Sequence, residues 1–396
     1  MSAPPITHLS RSLILLLAMV SALGPVAMQI LLPGVPIIKE SFQVSTGVAQ
    51  LTLSLSMAAI ALATLAYGPL SDRYGRRPVL ILGMSIAVVG SLLCIVAPTI
   101  ELLIAGRFVQ AAGGAVGMVV ARAIVRDVYD ARESASVIAT LVMVMVVMPM
   151  LSPALGGELM VRYDWHAVFY LVAAISTVLV GMLWLQLPET LREPVPFSGV
   201  KDLVHTYHGL WQDRLFRGYS LCVAFVSVVF FAFISAAPEI MVSVLHRPAT
   251  EYGYYFIIVP LGFMAGNYIT RHYGRRLGIH RMIDYGSRLS ILGITLALLL
   301  QALGFTHPAA LFLPVALAIL GNGITLPNAQ AGALNAAPKM AGSASGLTGF
   351  MQMAFSAVAA QGVALIFNGT VYPMLVLMLG AAVVSLLSFR MLVAED

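Results

Sequence analysis

Charge is what this chain has least of. Lys, Arg, Asp and Glu together make up 10% of its 396 residues, against about 25% in soluble domains. So few charges cannot cover a water-facing surface, which excludes a soluble globular protein. Cysteine is nearly missing too: Cys94 and Cys222 both fall in apolar runs. That excludes a disulfide framework or a cysteine metal site, and buried thiols are expected instead. The patterns H-E-x-x-H and G-x-S-x-G are absent, and no paired carboxylates lie mid-span. Metalloprotease and serine-hydrolase chemistry therefore has no residues to carry it, and an enzyme is not expected. No metal site or cofactor is expected. No basic stripe is interleaved with stacking aromatics, so the net charge of +5 does not point to nucleic acid. The middle of every apolar run also lacks an acid. Glu40, Glu101, Glu158, Glu239 and Glu251 fall toward one set of run ends, and Asp72, Asp127 and Asp284 toward the other.

What is present is apolar length. Hydrophobic residues make up 60% of the chain. Runs of spanning length fall at 12–32, 48–70, 78–97, 102–124, 135–157, 167–187, 215–238, 252–270, 282–303, 309–331, 342–366 and 371–393. Twelve such runs predict an all-α membrane protein lodged in the lipid bilayer. The first run is too long for a signal-peptide core and belongs to the first span. The only long polar stretch is 188–214, with Pro194, Pro196 and charges of both signs. It is read as a linker with one amphipathic turn, between a six-helix bundle at 1–187 and another at 215–396. Lys and Arg set the orientation. One face holds only Lys39, Arg162 and Arg247; Arg107 and Arg288 lie within spans, and the rest line the opposite face. The arginine-rich face is expected to be cytoplasmic, with both termini on that side of a bacterial inner membrane.

The densest motif lies between the second and third runs: Gly68, Asp72, Arg73, Gly75, Arg76 and Arg77, followed by Pro78. So much charge is excluded from lipid, and a short loop is expected. Gly68 would allow two helices to approach, and Gly75 would permit the reversal. Asp72 would accept from N–H groups at a helix N-terminus, while the arginines reach for carboxylates and helix ends. Arg126 and Asp127, at the end of the fourth run, are expected to join this cluster as a conformational latch. Tyr74-Gly75-Arg76-Arg77 recurs as Tyr273-Gly274-Arg275-Arg276, about half the chain later. The repeat divides the chain into two related halves. Its second copy has Arg271 where the first has Asp72.

The pattern G-x-L-x-D-R-x-G-R-R resembles the loop signature of the major facilitator superfamily of secondary transporters. That resemblance implies twelve helices in two pseudo-symmetric six-helix bundles around a central passage. Arg107 and Gln110 resemble that family's fourth-helix R-x-x-Q-G, with Ala111 in place of the usual Gly. A charge inside a span must be paired or hydrated, so Arg107 should face the passage. Pro149, Pro153, Gly156 and Gly157 in the fifth run resemble the antiporter signature of proton-driven exporters, and they form a candidate pivot. Trp165-His166 and the following Pro188-Glu189-Thr190-Leu191 resemble the end of the first half in the Bcr/CflA group of drug:proton antiporters.

This resemblance implies a monomer exporting small amphiphilic drugs in exchange for protons, with the proton gradient as energy source. One position departs: Gln29 stands where that group often has Asp. A neutral amide cannot carry a proton, which leaves Arg107, Glu101 and Glu239 as coupling candidates. Substrate-lining candidates are Met28, Gln29, Arg107, Gln110, Phe230, Phe233, Asn322 and Asn328, with Gln352 and Gln361 on the eleventh run. The departure keeps an alternative open: a dedicated metabolite or siderophore exporter, or a uniporter, of the same fold.

Overall fold

The computed structural model describes residues 9–129, 131–191, 200–337 and 340–393. Part of the 188–214 linker, residues 192–199, lies outside the described residues. Each of the twelve apolar runs falls on a helix. Among the described residues, ten helices are long and apolar enough to cross a membrane.

The chain divides into two compact units: residues 1–31 with 58–197, and residues 32–57 with 198–396. Unit 1 holds α1 (Arg11–Gln29), the second part of α3 (Thr46–Tyr74), α4 (Arg76–Ile95), α5 (Ile100–Val128), α6 (Ala131–Arg162) and α7 (His166–Gln186). Polar residues at the boundaries start these helices. Ser10 accepts from Leu13 N and Thr99 from Leu102 N, satisfying N–H groups that no helical carbonyl can reach. Small residues then let the helices close. A Cβ on Gly90 would lie 2.2 Å from Gln110 N, and one on Gly113 2.3 Å from Ala87 N, so α4 and α5 meet backbone to backbone.

The α1–α6 contact depends on Gly156, where an added Cβ would lie 1.9 Å from Ile30 O. Pro149 and Pro153 sit inside the same helix. Gly156→Ala is expected to destabilise the protein by about 1–3 kcal/mol, read as a fall in Tm in detergent. Gly181 in α7 is the control, because its Cβ would meet nothing within 4 Å. Gly181→Ala should be neutral or slightly stabilising from helix propensity. Equal shifts for both variants would refute the contact.

Unit 2 holds the segment Leu32–Met57, which contains a 3-10 turn (Leu32–Gly34), α2 (Val35–Ser41) and the start of α3. It also holds α8 (Val200–Gln212), α9 (Arg214–Ser243), α10 (Ala249–Phe256), α11 (Ile258–Ala302), α12 (Ala309–Ala336), α13 (Ala341–Leu365) and α14 (Tyr372–Leu392). In α11, Gly278 leaves the helical region (φ +77°), and this divides the eighth run from the ninth. The amphipathic turn expected in the linker is the four-turn helix α8. Tyr207 and Leu210 pack against a core of Phe216, Tyr219 and Phe389, while Val204, His205, His208 and Trp211 stay exposed. An exposed Trp beside a spanning helix suits the membrane–water boundary. Both cysteines are free and buried.

The structure corrects the reading of the charged loop. Residues 68–74 are the last two turns of α3, and the turn is Gly75 alone, at φ +104°. Among the described residues, no neighbouring helix comes within 4 Å of a Cβ on Gly68, so the close approach expected there is not made. The helix persists through the charges because they are neutralised locally, as described below.

Candidate functional site

Two sites arise within unit 1. At its arginine-rich end, Arg76 is the hub. Its side chain is only 10% exposed. Nη1 donates to Asp72 one turn back on α3 and, at 2.8 Å, to Ser71 Oγ. Nε donates to Asp127 Oδ2 at the end of α5, also at 2.8 Å. Thr190 Oγ1 donates to the same Asp127 oxygen at 3.3 Å. One guanidinium thus ties α3, α4 and α5 by forked, charge-assisted bonds.

Helix α4 starts on the Glu189 carboxylate. Oε1 accepts from Arg76 N (2.9 Å), Thr190 N and Leu191 N, and Oε2 accepts from Arg77 N (3.2 Å). This is an anion seated on a helix N-terminus. Sequence reasoning gave that role to Asp72, but Asp72 is taken by the Arg76 side chain. Gly75 makes room for Glu189, since a Cβ there would lie 2.5 Å from Oε2. Not every expected member joins. Arg126 is exposed with no described partner, and Arg73 is exposed and stacks over the Tyr74 ring. Arg77 donates to Trp184 O at 2.8 Å and lies over the indole.

The second copy of the motif sits differently in its helix, and the side chain of Arg275, its counterpart of Arg76, lies outside the described residues. Tyr273 and Gly274 are inside α11, and the chain breaks one turn later, at Gly278. Arg271 and Arg276 are exposed without a carboxylate partner among the described residues. Unit 2 has instead an ion cluster on Asp284, which pairs with Arg288 and Arg390.

The second site is Arg107, 2% exposed in α5. Nη1 donates to Ala27 O of α1 (3.0 Å) and to Gln110 Oε1 one turn on. Gln110 Nε2 donates to Ser91 Oγ of α4 (2.8 Å), which donates to Ala87 O. The row links three helices through one buried charge. A cavity of about 10 Å³ touches Arg107, Gln110, Met28, Gly24 and Ser176. That is room for about one water, far below the several hundred Å³ of a drug pocket. Gln29 lies outside that lining, half-buried, with an unpartnered Oε1. Glu101 is exposed in the first turn of α5.

The candidates in unit 2 are mostly packing residues. Phe233 is fully buried, edge-on to Phe312. Asn322 accepts from Ser290 Oγ and donates to Val226 O, joining α12 to α11 and α9. Asn328 donates to Ile324 O and Thr270 Oγ1. Polar residues used this way serve interhelical adhesion rather than a lining. Phe230 is half-buried against Phe231. Glu239 is 5% exposed in α9, and its Oε1 accepts from Lys39 Nζ of α2 at 2.6 Å. Sequence reasoning named Glu239 but missed this partner.

The family model described as Major Facilitator Superfamily matches residues 17–360. The chain belongs to that superfamily. It is thus an all-α membrane transporter rather than an enzyme. Among its relatives, an uncharacterized MFS-type transporter, YdgK, of Bacillus subtilis is 30% identical over 97% of this chain and 96% of its own length. A bicyclomycin resistance protein homolog of Haemophilus influenzae is 27% identical over the same shares. Multidrug resistance protein D of Escherichia coli is 28% identical over 88% of this chain and 87% of its own. These names match the resemblance to the Bcr/CflA drug antiporters. The facilitator fold also recurs in solved structures. A bacterial homolog of the human lysosomal transporter Spinster aligns with a TM-score of 0.77 at 16% identity, over 97% of this chain and 98% of that one. A peptide transporter, POT, aligns with a TM-score of 0.79 at 13% identity, over 98% and 96%.

Proposed function

We propose that this facilitator exports small amphiphilic compounds from the cytoplasm across the bacterial inner membrane, in exchange for protons, by alternating access. Its halves, 1–187 and 215–396, would move about the 188–214 connection, with α6 as the pivot. The chain would act as a monomer with both termini inside. The observation that carries the reading is the Arg76 cluster. A forked arginine holding two carboxylates on separate helices is a bond set that can be made in one end state and broken in the other. The names of the bicyclomycin and multidrug resistance relatives supply the substrate class. Substrate would meet Met28, Gln29, Arg107 and Gln110 in a state with more room than the 10 Å³ cavity gives.

The test is export of a fluorescent amphiphile from cells, with and without an uncoupler. Uncoupler-sensitive export supports the reading. Export that survives loss of the gradient removes the proton from it. Gln29, neutral where an acid would serve, favours a second reading: a single-substrate exporter or a uniporter. Resistance to several unrelated drugs on overexpression counts for the first reading, and resistance to one or none for the second.

A further inference from the structure

A second arginine of α5 lies inside the run 102–124. Arg122 is 15 residues beyond Arg107, toward the arginine-rich end of unit 1. On an α-helix that is about 22 Å along the axis and about 60° round it. The Arg107 guanidinium is engaged with Ala27 O and Gln110 Oε1. Arg122 is engaged far less. Among the described residues its side chain reaches only Met145 of α6, Nη2 to Sδ at 3.9 Å. A thioether is a weak acceptor. Arg122 Nε is buried without a hydrogen-bond partner.

No carboxylate is placed to neutralise it. The helices packed on α5 are α1, α4 and α6. The first two contain no Asp or Glu. On α6, Glu133 and Glu158 are 12 and 13 residues from Met145, which is about 18 Å or more along the helix. On α5 itself, Glu101 is in the first turn, at the far end. Asp127 is five residues on, about 140° round the helix, and it is taken by Arg76 and Thr190. The neighbour one turn on is Arg126, a like charge. A half-buried cation without a counter-ion is costly, and an arriving anion recovers that cost through charge-assisted bonds.

The surroundings are apolar and adaptable. Met145 is half-buried, and so is Met118, one turn back from Arg122 on the same side of α5. Methionine fits irregular apolar shapes and is common on promiscuous binding surfaces. We infer that Arg122 is a point of first contact for substrate. Its guanidinium binds the carboxylate or sulfonate head of an anionic amphiphile, and Met118 and Met145 cover the apolar body. The inference rests on the exporter reading, which brings substrate to this end of unit 1, and it names the class: amphiphiles that carry an acidic group.

The test is binding and needs no gradient. The full chain in phosphatidylcholine nanodiscs is titrated with dansylamino-undecanoic acid and with its primary amide, followed by fluorescence anisotropy, with empty discs as the blank. The two probes share an apolar body, and at about pH 8 only the acid is charged. The parent should bind the acid about tenfold more tightly than the amide, a ratio within reach of charge-assisted bonds. Arg122→Gln should bring that ratio to about one and leave amide binding within about twofold, since the lost bond is to the charge alone. Arg122→Met, matched to its methionine neighbours, should do the same and stands in if the Gln variant does not fold. Arg122→Lys keeps the charge without the planar fork and should keep a ratio of about three. Arg126→Gln, at an exposed side chain, should leave the ratio unchanged. A parental ratio near one, a ratio that survives both neutral variants, or an equal loss in Arg126→Gln would overturn the site. Erasure of the ratio by added phosphatidylglycerol would give the site to a lipid headgroup and overturn the substrate assignment. A preference that depends on Arg122 in a chain that exports nothing would sink only the exporter reading, and export without the preference only this site.

Discussion

Arg76→Gln is expected to abolish export while leaving the protein inserted in the membrane. Among the described residues, the guanidinium is the only group bonded to both Asp72 and Asp127. Without it, both carboxylates lose their ion-pair partner among the described residues. Removing one partner of a buried pair costs about 3–5 kcal/mol. Asp72 and Asp127 are 45% and 21% exposed, and solvent screening discounts that to about 2 kcal/mol. Two kcal/mol is roughly a thirtyfold change in a conformational equilibrium. A transporter whose two end states differ by only a few kcal/mol would be trapped by such a shift.

Arg126→Gln and Arg73→Gln are the internal controls, since both side chains are exposed and outside the cluster. Each should keep export within about twofold of the parent, in line with the small value of exposed charges. Efflux of a fluorescent amphiphile, normalised to the amount of protein in membranes, separates the outcomes. Arg126→Gln failing as badly as Arg76→Gln would mean that net positive charge, rather than this geometry, is what matters.

The same cluster marks how far the sequence could be read. The spans were legible, because an apolar run of bilayer length has almost no other use in a chain this poor in charge. The end of α3 was not. Charges between two spans read as a loop, yet Arg76 neutralises Asp72 one turn away, so helix continues to Tyr74. Glu189 was legible only as part of a family resemblance. Its partners on α4 lie over a hundred residues upstream, and no local pattern pairs them. Lys39 and Glu239 are 200 apart in sequence. The one available signal was that both fall toward the same set of run ends, an unusual place for a buried acid. Asn322, Asn328 and Phe233 were ambiguous for another reason: a polar or aromatic residue that packs on a neighbouring helix and one that lines a path have the same spacing in a span.

Arg107 should prove as critical as Arg76, for a different reason. Its charge is 2% exposed and sits within a span, where an unsatisfied cation is costly. Arg107→Leu removes the donor from Ala27 O and from Gln110 Oε1 together. Transport in proteoliposomes is expected to vanish for anionic substrates and to fall at least tenfold for neutral ones. Arg107→Lys keeps the charge but loses the planar fork. It should retain turnover and raise the half-saturating substrate concentration about tenfold. Ser91→Ala leaves the Gln110 amide donor unpaired, at about 1–3 kcal/mol. If that row orients Arg107, Ser91→Ala should weaken transport several-fold in the same direction as Arg107→Lys. If the row only glues α4 to α5, Ser91→Ala should lower Tm and leave the concentration dependence of transport alone. The split between those two readouts decides whether the buried arginine handles substrate or merely holds three helices together.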